Sequence, residues 1–182
     1  VRLAVATYRD HDRVVITDDG DAMITSAVDR YLDALAAGQR PVLMAGTNAT
    51  VSRLNHAVRE RLAQRGALDT NAIVAASHGR HLVVGDRVVL RRNATIPQPA
   101  GAEVRVRNSD AATITAPGPH GSIVVRRDTD RAEIAIDAEY LSQGWVDHGY
   151  AVTAHRAQGG TWDQAIAVGL DGLYREAAYV QL

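Results

Sequence analysis

The period of the apolar residues changes twice along the chain, and that change limits the fold more than any other feature of the sequence. Ile24, Ala27, Val28, Tyr31, Leu32 and Leu35, and then Val51, Leu54, Val58 and Leu62, recur three and four residues apart. This is the spacing of one face of a helix. Between the two stretches, Val42 to Ala45 is an unbroken apolar run after Pro41, as in a strand buried on both faces of a parallel sheet. Asp18, Asp19, Gly20 and Asp21 form a turn and N-cap for the first helix, and Gly38 and Gly66 stand where C-terminal caps belong. The short run Val14 to Ile16 is expected to be a strand ahead of that helix.

From about Leu82 to Ile136 the spacing shortens to that of strands. Asp86 to Arg91, Val104 to Arg107, Thr113 to Ala116, Ser122 to Arg127 and Glu133 to Ile136 are the candidates, with Pro97-Gln98-Pro99 and Pro117-Gly118-Pro119 between them. Five short strands suggest a small barrel, which closes its own edges and can be inserted where its ends lie close together. The α/β pattern then resumes. Tyr150 to Thr153 is expected as a strand, His155 to Gln158 as a turn, Ala165 to Leu170 as a buried strand, and Arg175 as the start of a helix. The expected plan is thus an α/β domain over residues 1–79, with 1–40 partly linker, a barrel over 80–138, and a return to the α/β domain over 139–182.

Composition removes several classes of chemistry. The 182 residues include no cysteine, which excludes disulfides, thiolate zinc sites and cysteine nucleophiles. All 20 basic residues are arginine; a P-loop and a Schiff base both need a lysine, so neither can occur here. A net charge of −1 gives no global attraction to nucleic acid, and any basic surface must be local. No apolar run approaches the ~20 residues of a membrane helix, so a cytoplasmic protein without membrane contact is expected. His78, His81, His120 and His148 lack the clustered carboxylates that would complete a metal shell, and no metal is expected. Asp128, Asp130 and Asp137 read as solvated turn carboxylates. Arg91, Arg92, Arg105, Arg107, Arg126 and Arg127 read first as a solvated charged face, with a DNA-facing patch as the alternative.

The segment Gly149-Tyr150-Ala151-Val152-Thr153-Ala154-His155-Arg156-Ala157-Gln158-Gly159-Gly160-Thr161-Trp162-Asp163 carries the most chemistry. A strand end runs into polar side chains and two glycines, where an open α/β sheet usually binds ligands. Glycine admits close backbone approach, and Thr153, His155, Arg156 and Gln158 can all donate to phosphate. The pattern alone also fits a satisfied turn that happens to carry polar residues. Trp162 is expected to be packed.

This segment resembles motif V of superfamily 1 helicases, most closely the RecD-like branch and the helicase half of conjugative relaxases. Gly46-Thr47-Asn48, with Leu54-Asn55 on the next helix, is similar to motif IV of that family. Gly85-Asp86-Arg87-Val88 and Val106-Arg107-Asn108-Ser109-Asp110 resemble the SH3-like barrel inserted between the two motifs, with Asn108-Ser109 in place of the usual Asn-Gly turn. The resemblance implies a RecA-like second motor domain carrying an inserted SH3-like β-barrel, part of an ATP-dependent helicase that translocates on single-stranded DNA. It implies that Thr47, Asn48, Asn55, Thr153, His155 and Arg156 lie along single-stranded DNA and that Gln158, Gly159, Gly160 and Thr161 face the nucleotide. Thr161 stands where many relatives have a glutamate on the nucleotide sugar. Tyr174 to Leu182 resembles the start of motif VI and stops before its arginine, so no catalytic residue is assigned and no ATPase activity is expected of the chain alone. ATP and magnesium would be held mainly by an upstream P-loop motor domain. The competing expectation is a non-catalytic module that binds single-stranded DNA or docks a protein through the barrel.

Overall fold

The first helix begins where its cap dictates. Asp19 accepts hydrogen bonds from the backbone N–H of Asp21 and Ala22, satisfying two of the donors that a helix start leaves unpaired. In this computed structural model, which describes residues 15–99, 101–157 and 162–169, that helix, α1, spans Gly20–Ala36. It ends at Gly38, whose φ of +75° is open to glycine at little cost. Strand β1 (Pro41–Ala45) and helix α2 (Asn48–Gln64) follow. Val15 and Ile16 are exposed and lie outside any strand, a correction to the expected opening strand. The adjoining Thr17 hydroxyl donates to the Asp19 carbonyl, so the run is drawn into the helix cap; Val14 lies outside the described residues.

Short strands follow: β2 (Ile73–Ser77), β3 (Arg80–Val83), β4 (Arg87–Leu90), β5 (Ala94–Pro97), β6 (Glu103–Val106), β7 (Ala111–Pro117), β8 (Ile123–Arg127) and β9 (Glu133–Ile136). A short helix α3 (Ala138–Ser142), strands β10 (Val146–His148) and β11 (Ala151–Thr153), a single turn α4 (Ala154–Ala157) and β12 (Gln164–Val168) complete the described elements. Contacts divide them into two compact units, one made of the described residues up to Ala57 and from Ala151, the other of Val58–Tyr150.

The first unit is a parallel sheet in the order β11-β1-β12. All five residues of β1 are buried, as the unbroken apolar run requires of a central strand. Helix α1 packs on β1 and β12, burying Ile24, Ala27, Val28, Tyr31, Leu32 and Ala34, while Leu35 stays exposed. Leu43 is fully enclosed, and burial of such a side chain contributes about 1.5–3 kcal/mol. β12 was expected to be buried throughout; instead Ala165 and Ala167 are exposed and Val168 is buried, the alternation of a strand covered on one face.

The second unit is antiparallel, in the order β10-β4-β7-β8-β9, with separate hairpins β2–β3 and β5–β6. One core, including Leu82, Leu90, Ile96, Val106, Ile114, Ile123, Ile134 and Val146, takes side chains from the sheet and both hairpins. Among the described residues β9 and β10 do not pair, so the expected closed barrel is not found; the sheet keeps two edges. Ser109 holds a φ of +77°, so the Asn108-Ser109 turn keeps the left-handed position that glycine would occupy more cheaply. Gly149 donates to the Arg87 carbonyl at 2.9 Å. A Cβ there would stand 2.9 Å from the backbone carbon of Val88, so only glycine allows this approach.

Candidate functional site

The register of the parallel sheet fixes what can meet at its carboxyl edge. Ala45 at the end of β1 is opposite Thr153 at the end of β11 and Val168 at the end of β12. The loop Gly46-Thr47 with the start of α2, and the turn α4 that follows Thr153, therefore leave the same edge of the sheet, although they are more than a hundred residues apart in sequence. Open α/β sheets bind ligands at this edge.

Each side chain is placed by its element. Thr47 caps α2: its carbonyl accepts from Val51 N–H at 3.0 Å and its hydroxyl accepts from Thr50 N–H at 3.2 Å. The hydroxyls of Thr47 and Thr50 lie 3.0 Å apart, so Thr47 is half-buried and largely committed to the cap. Asn48 is exposed at the first position of the helix, where backbone N–H groups and the positive end of the helix dipole face outward. Thr153 is half-buried, His155 exposed and Arg156 half-buried. None of these three has a side-chain hydrogen bond or ion pair among the described residues. The segments 45–50 and 153–157 contain no acidic residue, so donors and one guanidinium face solvent without a carboxylate nearby in sequence to neutralise them. That arrangement suits an anionic ligand.

Asn55 is different. It is 6% exposed, its Oδ1 accepts from Ala151 N–H at 2.9 Å, and its Nδ2 donates to the Ala151 carbonyl at 3.4 Å. Its expected place along a ligand path becomes a clamp on β11. The signal was present in the sequence: Asn55 is one and four residues from Leu54 and Val51 and three before Val58, inside the apolar stripe of α2. A polar residue in such a stripe is buried and must be bonded. The stripe itself is turned slightly from expectation, with Thr50, Leu54, Asn55 and Val58 buried and Val51 and Leu62 half-buried.

Trp162 packs against the cluster of Val42, Met44 and Ala157, and its indole N–H donates to the Ala157 carbonyl at 3.4 Å, as expected of a packed residue. At the opposite end of β1, Asp163 accepts from the Arg40 backbone N–H at 2.7 Å and its carboxylate also meets the Arg40 guanidinium. The Arg40 side chain holds the Asp163 carboxyl below the usual carboxylate range. Gln158, Gly159, Gly160 and Thr161, expected on the nucleotide side, lie outside the described residues.

Several carboxylates and arginines of the antiparallel unit are bonded to one another. Asp128 pairs with Arg87, Asp130 and Asp110 with Arg127, and Asp147 with both Arg80 and Arg91. Asp137 caps α3 by accepting from Tyr140 N–H at 2.7 Å. Arg92 lies over the Trp145 ring, 4.5 Å from its centroid. Arg105, Arg107 and Arg126 are exposed, as expected of a solvated face; the expectation of solvation is corrected for Asp128, Asp130, Arg91 and Arg127, which the turns and strand ends of the sheet bring against a partner of opposite sign.

Comparisons with known proteins give the chain relatives. The chain is 26% identical over 188 residues to the conjugal transfer protein TraA of Agrobacterium fabrum, covering 100% of the chain and 16% of that protein. It is 24% identical over 183 residues to a probable conjugal transfer protein TraA of Sinorhizobium fredii, again covering 16% of it. The chain is similar along its whole length to a segment of these TraA conjugal transfer proteins. It spans about a sixth of the length of these relatives. No family model matches it. In fold it is similar to the Pif1 helicase from Bacteroides in complex with ADP-AlF3 and single-stranded DNA, with a TM-score of 0.57, 20% identity, and coverage of 98% of this chain and 45% of that one. A second structure, Bacteroides Pif1 bound to single-stranded DNA, gives a TM-score of 0.50 at 16% identity, covering 92% and 47%. The mixed α/β architecture with a parallel sheet is shared with these structures. Among the described residues no helix is long and apolar enough to cross a membrane.

Proposed function

We propose that this chain is the second motor domain of an ATP-dependent helicase that moves along single-stranded DNA during conjugal transfer, and that the carboxyl edge of its parallel sheet grips the DNA backbone. The observation that carries the reading is the register of Ala45 with Thr153, which puts Asn48 and the Thr153–Arg156 turn at one edge with their donors unpartnered by acid. Kinship with TraA proteins and the likeness in fold to Pif1 support the same reading. Thr153 would donate to a phosphate oxygen, and His155 and Arg156 would add charge-assisted contacts. The antiparallel unit is then an insertion of the SH3-like kind, opened at two edges; its single core, shared by five strands and two hairpins, supports that view.

ATP and magnesium would be held chiefly by an upstream domain, since a chain without lysine has no P-loop. Bound between two such domains, ATP supplies the free energy for opening and closing them. The contribution of this chain's own residues is to hold the strand while the partner domain shifts. For the alternative, a module that binds single-stranded DNA or docks a protein through the insertion, the candidate arginine patch is reduced because Arg91 and Arg127 are neutralised by aspartates.

The test is anisotropy of a labelled single-stranded oligonucleotide titrated with the chain at low and moderate salt, beside a Thr153→Ala/His155→Ala double variant. Salt-sensitive binding that falls about tenfold or more in the variant is the expected result. Equal binding by both proteins, or none at low salt, would remove DNA from this edge.

A further inference from the structure

We infer that Asn55 is a positioning residue: its side-chain amide stands in for a neighbouring strand on the outer side of β11 and so sets where Thr153 and His155 are presented. The inference rests on the DNA reading above for its functional meaning, while its structural part can be tested without DNA.

β11 is the end strand in the order β11-β1-β12 and has three residues. The N–H and C=O of one residue in a strand point to the same side, and those of the next residue to the other side. Ala151 directs both its backbone groups at Asn55, at 2.9 and 3.4 Å, and therefore away from β1. No strand pairs with that side among the described residues. A buried N–H and C=O without partners would each cost free energy comparable to a lost hydrogen bond. An amide side chain carries one acceptor and a donor group, the complement of a peptide, and Asn55 supplies both from the buried stripe of α2. Thr153 is two residues farther along β11, and His155 sits on the turn that β11 leads into. A strand this short has few ladder bonds of its own, so two bonds at Ala151 decide how firmly its far end is held.

The informative substitution is Asn55→Asp. At neutral pH a carboxylate accepts from Ala151 N–H but repels the Ala151 carbonyl. A protonated carboxyl again offers one donor and one acceptor, so acid restores the pattern of the amide. Burial raises the pKa of such a group above the usual carboxylate range, so the restoration is expected as pH falls toward acid. Protection factors of individual amides would be measured by hydrogen exchange in wild type and variant, with single-stranded DNA binding followed in the same pH series.

The expected result at neutral pH is protection at residues 151–155 reduced by about tenfold or more, with Leu43 and Met44 of β1 unchanged, and DNA affinity reduced by a similar factor. At low pH the ratio of variant to wild type should return toward one in both measurements; the ratio removes the effect of histidine protonation on binding itself. Unchanged protection at 151–155, a loss spread equally over β1 and α1, or no recovery at low pH would each overturn the inference. If protection behaves as expected while Thr153→Ala/His155→Ala leaves DNA binding intact, the clamp stands and the DNA reading falls.

Discussion

The two units of the molecule treat their polar side chains in opposite ways. In the antiparallel unit several charges are paired internally. Asp86 is 0% exposed and accepts from Arg59 Nε at 2.8 Å, Arg59 Nη2 at 3.1 Å, Val83 N–H at 3.0 Å and the Tyr150 hydroxyl at 2.9 Å. Arg127 draws the Asp130 carboxyl down to about 2, and Asp147 serves two arginines. In the parallel unit the ion pairs Arg40–Asp163 and Arg53–Asp21 lie at the surface, and among the described residues the polar side chains at the carboxyl edge have no such partners. Paired charge specifies a fold, whereas unpaired donors on a rigid sheet edge remain available to a ligand. Where the partners are missing is therefore more informative about function than where the arginines are most numerous.

The comparison can be broken most sharply at Asp86. Asp86→Ala leaves Arg59, whose side chain is 15% exposed, beside an emptied site, and should destabilise the chain by about 3–5 kcal/mol in urea unfolding. Adding Arg59→Leu should recover part of that loss, because the stranded charge goes with it; a loss below about 1 kcal/mol in the single variant would mean that the buried pair is not what organises this unit.

A smaller effect is expected with pH. Burial pushes His148 below its ordinary value, against the opposing pull of Asp86. The sign follows from proton uptake: below 6.5 the unfolded chain binds a proton that the folded chain resists. His148 therefore contributes no penalty well above 6.5, and stability declines as pH falls through that value toward the lower folded pKa. Urea midpoints compared between about pH 7.5 and 5.5 should fall less steeply in His148→Gln than in wild type. Parallel slopes would show that His148 does not report on the Asp86 network.

The smallest effect belongs to the surface pair of the parallel unit. Arg53 and Asp21 are 2.6 Å apart, but their side chains are 52% and 92% exposed. Arg53→Ala should change stability by no more than about 0.5 kcal/mol. A much larger loss would erase the distinction between spent charge in one unit and surface charge in the other.

Much of this was legible in the residues themselves. The stripe from Ile24 to Leu32, the cap at Asp19 and the run Val42–Ala45 each follow from a local rule, and β9 matches its expected span of Glu133–Ile136. Hairpin β2–β3, strand β5 and helix α3 were not anticipated. Ile73-Val74-Ala75-Ala76-Ser77 and Ala94-Thr95-Ile96-Pro97 are short, carry small or mixed residues, and become strands through pairing with β3 and β6. Thr153, His155 and Asn48 could be singled out by type and position; that Asn55 turns inward to Ala151 depends on a residue 96 positions away.

Local order in the sequence thus determined which stretches are helices, which strand is central, and which chemistries lysine and cysteine can never supply here. Only the tertiary structure decided that β1 and β11 run side by side with Ala45 opposite Thr153, that Arg59, Arg80, Arg87, Arg91 and Arg127 are matched to aspartates, and that an asparagine closes the edge of a strand. Periodicity and capping depend on neighbours within a few residues and are written along the chain. Register and charge pairing depend on which distant segments share a core, and no local pattern carries that information.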